Sequence, residues 1–87
     1  MTHYVYILRC SDDTYYTGST MYLRRRLKEH LSGHGAKYVK GRLPVELVYT
    51  ELYPTLSEAR RREARIKTMC HDEKTNLIEK GERYRMR

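Results

Sequence analysis

Residues Tyr4 to Ser19 read YVYILRCSDDTYYTGS. From His3 to Cys10 the chain is apolar on both alternating faces, with Val5 and Ile7 on one and Tyr4, Tyr6 and Leu8 on the other. That pattern predicts a strand covered on both sides. Ser11-Asp12-Asp13-Thr14 is a turn cluster, and Tyr15 to Ser19 is the return strand. The length of the turn decides what the hairpin can do. A two-residue turn at Asp12-Asp13 sets Tyr6 and Tyr16 on opposite faces of the sheet. An odd turn, such as three residues with Ser11 opposite Tyr15, or a bulge, sets them on the same face.

Working outward, Thr20 to Ser32 carries Leu23, Leu27 and Leu31 at helical spacing, and Gly33 is a C-terminal stop. GHGAKYVKGRLP, Gly33 to Pro44, is a long basic loop of the kind that often carries function. VELVYTELY, Val45 to Tyr53, alternates like a third strand and ends at Pro54. Thr55 and Glu58 form a capping box that starts a helix running to about Met69 or Cys70. A further short helix spans Asp72 to Lys80, with Gly81 after it. The expected architecture is α+β: a three-stranded antiparallel sheet with flanking helices, in the order ββαβαα. Residues 1–81 make one domain and 82–87, ERYRMR, a loosely held basic tail.

Composition narrows the function. The 87 residues hold 18 Lys and Arg against 11 Asp and Glu, a net charge of +7, which favours a polyanionic partner and nucleic acid above all. Arg24-Arg25-Arg26 and Arg60-Arg61-Arg62 concentrate that charge. Phe and Trp are absent, so tyrosine must supply the large aromatic packing. Cys10 and Cys70 suit neither a disulfide framework nor a zinc site, and a reducing cytoplasm is the expected location. No apolar run approaches the length that spans a bilayer, and no signal peptide opens the chain.

Four positions draw attention on chemical grounds. Leu56, Ala59, Ile66 and Cys70 form one apolar stripe on the second long helix, and Glu63 falls inside it while Arg61, Arg62 and Arg65 point elsewhere. A carboxylate there is costly unless a cation or hydrogen bonds meet it. It is either half of a structural ion pair or a metal ligand. Arg26 and His30, four apart, share an edge beside the leucine stripe, where an arginine fork could grip a phosphate. His30 and His34 have metal-like spacing, but a helix that ends at Gly33 separates them.

These residues meet a known pattern. Tyr4-Val5-Tyr6, followed after nine residues by Tyr16-Thr17-Gly18, resembles the paired motif of the GIY-YIG nuclease superfamily. GSTMYLRRRLKEH resembles its first helix, with the family's arginine falling on Arg26 and its histidine on His30. REARIK resembles the helix that carries the metal-binding glutamate, which falls on Glu63, and EKTNLIEK the closing segment, whose asparagine falls on Asn76. The likeness is greatest to the small, stand-alone bacterial members. Tyr4 stands where the family has glycine, and Thr17 where it has isoleucine.

The resemblance implies phosphodiester cleavage with one Mg²⁺ or Mn²⁺ ion on Glu63. It gives Arg26 the phosphate, Tyr6 the role of general base with Tyr16 assisting or the reverse, His30 a relay or orienting role, and Asn76 hydrogen bonds that fix the site. A tyrosine base needs a lowered pKa, and a shared tyrosine site needs the odd turn. Nucleic acid, DNA before RNA, is the implied partner. Arg24, Arg25, Lys37, Tyr38, Lys40 and Arg42 are the candidate contacts, with Tyr38 available for stacking. Related nucleases usually carry an extra DNA-recognition domain. None is legible here, so the alternative is a non-catalytic binding module, or a subunit that cuts only when a targeting protein delivers substrate.

Overall fold

A computed structural model describes residues 2–85, with side chains through Gly81. The elements are β1 (His3–Arg9), β2 (Tyr15–Thr20), α1 (Leu23–Leu31), α2 (Lys37–Lys40), β3 (Glu46–Tyr53), α3 (Leu56–Lys67) and α4 (His71–Arg85). The strands form one antiparallel sheet in the order β2-β1-β3. The expected α+β architecture is therefore present, with one short helix, α2, added inside the long loop.

The turn is odd. Arg9 pairs with Tyr15 and Tyr6 with Gly18. The Cys10 N–H donates to the Thr14 carbonyl at 2.8 Å, and the Asp13 N–H to the Cys10 carbonyl at 3.0 Å. Three residues, Ser11 to Asp13, make the loop, shifted by one from the Ser11–Tyr15 pairing given as an example above. Asp13 at φ 64° takes the left-handed position that closes such a loop, a conformation aspartate tolerates better than most residues. Tyr6 and Tyr16 consequently share a face.

β1 is central and covered on both sides, as its apolar pattern requires. Tyr6, Leu8 and Cys10 pack with Val39 and Val45, and with Leu23 and Leu27 of α1. Val5 and Ile7 pack with Tyr49, Ala59, Ile66 and Ile78, under α3 and α4. β3 serves both layers because its pairing to β1 shifts register between Ile7 and Leu8, where Tyr49 and Leu47 are the partners. The shift exchanges the faces of β3. Val45 and Leu47 fall on the α1 side, and Tyr49 and Tyr53 on the α3 side.

Several sequence expectations need correction. α1 starts at Leu23, not Thr20. Its inward stripe is Leu23, Leu27 and His30, while Leu31 is 55% exposed. Gly33 does end the helix: at φ 83° its N–H reaches the His30 carbonyl and that of His34 the Glu29 carbonyl, a Schellman closure. On α3, Leu56 and Cys70 are exposed, and the buried positions are Ala59 and Ile66. Arg62 does not point away. It turns in beside Glu63 and pairs with Glu51 of β3. α4 does not stop at Lys80. It passes through Gly81, which lies so close to the Tyr49 ring that a Cβ would collide with it, and reaches Arg85. Residues 86 and 87 of the expected tail lie outside the described residues. No described helix is long and apolar enough to cross a membrane.

Candidate active site

The hairpin and α1 bring four of the named residues together. Tyr6, 1% exposed, sends its hydroxyl to Nε2 of His30, itself fully buried, at 2.9 Å. Gly18, opposite Tyr6 on β2, makes this possible: a Cβ there would lie 2.5 Å from the Tyr6 hydroxyl. Gly35 similarly leaves room against His30, whose Nδ1 is buried without a hydrogen-bond partner. Tyr16, half-buried, has its ring centroid 6.4 Å from that of Tyr6 and meets His30 edge-on at 5.4 Å.

Arg26 lies one helical turn before His30. Its guanidinium hydrogen-bonds Glu29 at 2.9 Å, and its charge acts on the Tyr6 hydroxyl. Burial pushes the Tyr6 pKa up to about 12, although Arg26 pulls the other way. A tyrosine base needs the opposite shift, which a bound cation and the Arg26 charge would have to supply. Burial, reinforced by the Arg26 charge, lowers the His30 pKa below its usual value. His30 is then a neutral ring at neutral pH, able to take a hydrogen bond from Tyr6 on Nε2.

Glu63 arrives from the other face of the sheet. Its carboxylate accepts from the Ser19 hydroxyl on β2 at 2.6 Å and pairs with Lys67, one turn on, at 2.8 Å. β2 is an edge strand, so groups on its two faces meet around that edge. Both readings of Glu63 remain open: it has a cationic partner, and only 19% of its side chain is exposed. Among the described residues no group of three or more His, Cys, Asp or Glu side chains could cage a metal. A hard cation that keeps most of its waters needs no cage, and one carboxylate beside a substrate phosphate suits it. His34 is outside α1 and bonds the Ser32 hydroxyl, so it forms no pair with His30.

Asn76 stands apart. It is exposed on α4, and its side chain makes no hydrogen bond among the described residues. Its neighbour Thr75 bonds the Tyr15 hydroxyl at 2.9 Å, while His71 stacks on Tyr15 and reaches the Asp13 carbonyl. These contacts seat α4 against the hairpin.

The expected nucleic-acid contacts divide. Arg24, Arg25, Lys37 and Lys40 are exposed. Arg42 is engaged within the protein: it bonds Asp12 at 3.1 Å and the Tyr38 carbonyl at 2.9 Å, and covers the Tyr38 ring at 3.9 Å. Tyr38 also stacks on Tyr16 at 6.2 Å, so its ring is engaged by Tyr16 as well as by Arg42. Residues the sequence reading passed over are Gly18, Ser19, Gly35 and Lys67. Of these Lys67 carried a signal, its spacing of four from Glu63.

A strand hairpin with two same-face tyrosines, an arginine and histidine on the following helix, and a glutamate beyond the edge strand together define a nuclease-type domain. The chain belongs to the GIY-YIG family, whose catalytic-domain model matches residues 2–76. It is 49% identical over 79 residues to a UPF0213 protein of Haloquadratum walsbyi, covering 91% of this chain and 89% of that one. Against a UPF0213 protein of Syntrophus aciditrophicus the identity is 53% over 80 residues, covering 91% and 92%. The solution structure of the UPF0213 protein BH0048 from Bacillus halodurans matches with a TM-score of 0.62 at 47% identity, over 97% of this chain and 90% of that one. The protein EF2693 from E. faecalis matches with a TM-score of 0.64 at 39% identity, over 92% and 85%.

Proposed function

We propose that this protein cuts phosphodiester bonds in nucleic acid, DNA in preference to RNA, using one Mg²⁺ or Mn²⁺ ion. The observation that carries the reading is the convergence of Tyr6, Tyr16, Arg26 and His30 on one face of the sheet, with Glu63 at the adjoining edge strand. Glu63 would hold the cation, exchanging its contact with the exposed Lys67 for it. When bound, the ion stabilises the negative charge on the departing oxygen.

The remaining work falls to the chain's own groups. Arg26 grips the phosphate as charge builds on it. Its guanidinium is about one-third exposed and already oriented by Glu29. Tyr16, less buried than Tyr6, faces the attacking water and positions it by a hydrogen bond from its hydroxyl. Tyr6 and His30 lie beneath, holding the Tyr16 ring and the Arg26 fork in place. Asn76 is reserved for contact with a bound strand.

Single-turnover cleavage tests the assignment. Arg26→Lys and Tyr16→Phe are each expected to slow cutting by about a hundredfold or more while oligonucleotide binding persists. A Tyr16→Phe variant that cuts at the native rate overturns the role given to Tyr16. The second reading, a binding module without useful activity, is favoured by one observation: Glu63 already has both a hydroxyl and an ammonium partner, as a structural carboxylate would. Salt-dependent binding with no cutting would select it.

A further inference from the structure

Beside the edge strand lies a cavity of about 230 Å³ lined by Tyr15, Tyr16, Thr17, Tyr38, Lys67 and Lys74. Pockets that enclose a drug-sized ligand start near 300 Å³, so this one suits a single small group such as a phosphate. No carboxylate lines it. Thr17 is 3% exposed, and its hydroxyl has no hydrogen-bond partner. Buried hydroxyls are rarely left so, because losing water without a replacement bond is costly. Lys74 is half-buried, and its ammonium makes no ion pair or hydrogen bond among the described residues. Lys67 is shared with Glu63. One orphan hydroxyl and two ammonium groups, one of them unpaired, make a set of donors with nothing to receive them.

We infer that Thr17, Lys67 and Lys74 form an anion subsite that takes a phosphate group of the polynucleotide next to the bond being cut. The inference rests on the nucleic-acid reading above. Position supports the choice of ligand: Tyr16 is a wall of both this cavity and the tyrosine–histidine cluster, and Lys67 contacts the carboxylate assigned to the cation. The subsite also gives a purpose to Thr17, the position where the second motif departs from isoleucine. An isoleucine would pack there but could donate nothing to an oxyanion.

The test is metal-free binding of a short thymidine oligonucleotide, with and without a 5′-phosphate, followed by fluorescence anisotropy in EDTA. Lys74→Gln is expected to weaken binding about tenfold and Thr17→Val about threefold, sizes typical of a charge-assisted and a neutral hydrogen bond. Lys80→Gln, exposed on the same helix, controls for loss of charge alone. Thr17→Val should melt no lower than the native chain, since it removes an unsatisfied hydroxyl. Weakening of both oligonucleotides assigns the subsite to an internal phosphate, and weakening of only the phosphorylated one to a terminal phosphate. Native binding in both Lys74→Gln and Thr17→Val, equal losses in Lys74→Gln and Lys80→Gln, or no binding by the native chain would overturn the subsite. Glu63→Ala releases Lys67 from its ion pair and removes a negative charge, so it should bind the oligonucleotide at least as tightly while losing metal-dependent cutting, and the subsite and the cleavage reading fail separately.

Discussion

Tyr6 is held by three groups: His30 at its hydroxyl, Arg26 beside it and the bare backbone of Gly18 across β2. A methyl at position 18 cannot enter without moving the ring. Gly18→Ala is expected to cost about 2 kcal/mol, the usual scale of overpacking, and to disturb the Tyr6–His30 bond. Urea unfolding measures the first and the His30 imidazole NMR signals the second. His30 gives a pH signature. Burial and Arg26 lower its pKa in the folded state, so below about pH 6.5 the unfolded chain binds a proton that the folded chain resists. Stability is therefore full above that pH and lost as pH falls through it. The melting midpoint should drop more between pH 7.5 and 5.5 in the native protein than in His30→Gln, and equal drops would contradict the assignment. The identities of these residues were legible in the order Tyr6, Tyr16, Arg26, His30. The burial of Tyr6 was not. It depends on a glycine and a neutral imidazole brought across from other elements, which no local periodicity encodes.

At the scale of elements, α3 docks through a polar pair as well as an apolar stripe. Glu51 accepts two hydrogen bonds from Arg62, at 2.8 and 2.9 Å, together with the hydroxyls of Tyr53 at 2.6 Å and of Tyr49. Burial alone would raise the Glu51 pKa, but these donors outweigh it and hold the carboxyl below its usual range. The same network pushes Tyr53 up to about 12, with burial the largest cause. Glu51→Gln leaves the Arg62 charge, 27% exposed, without its counter-ion, and should cost about 3 kcal/mol. The paired change Glu51→Leu with Arg62→Met should cost less than Glu51→Gln alone, measured by denaturant midpoints. A dearer double variant would refute this account of the interface. Capping, strand alternation and the Gly33 stop were legible because each is set within a few residues. The inward turn of Arg62 and the register shift in β3 were not, because both depend on which strand lies opposite. The one-turn α2 escaped notice in a loop where Val39 is fully buried and Ala36 and Leu43 pack beside it.

For the whole molecule, the net charge is +7, and several of its cations lie on the elements around Tyr16 and Arg26. Arg24 and Arg25 lie on α1, Lys37 and Lys40 on the loop, and Lys67 and Lys74 beyond the edge strand. Under the proposed function these are the cations that would meet a phosphate backbone. The proposed nucleic-acid partner rests on composition, and the candidate site residues on their order in the chain. That Glu63, on one face of the sheet, reaches β2 beside tyrosines on the other was not legible there, since it follows from β2 being the edge strand. The most direct test is cleavage of supercoiled plasmid, single-stranded DNA, branched DNA and RNA by the native chain and by Glu63→Ala purified identically, with Mg²⁺, with Mn²⁺ and with EDTA. The account expects metal-dependent cutting of at least one DNA substrate that disappears in EDTA and in Glu63→Ala. Equal cutting by both proteins, or none by the native chain on any substrate, would contradict it.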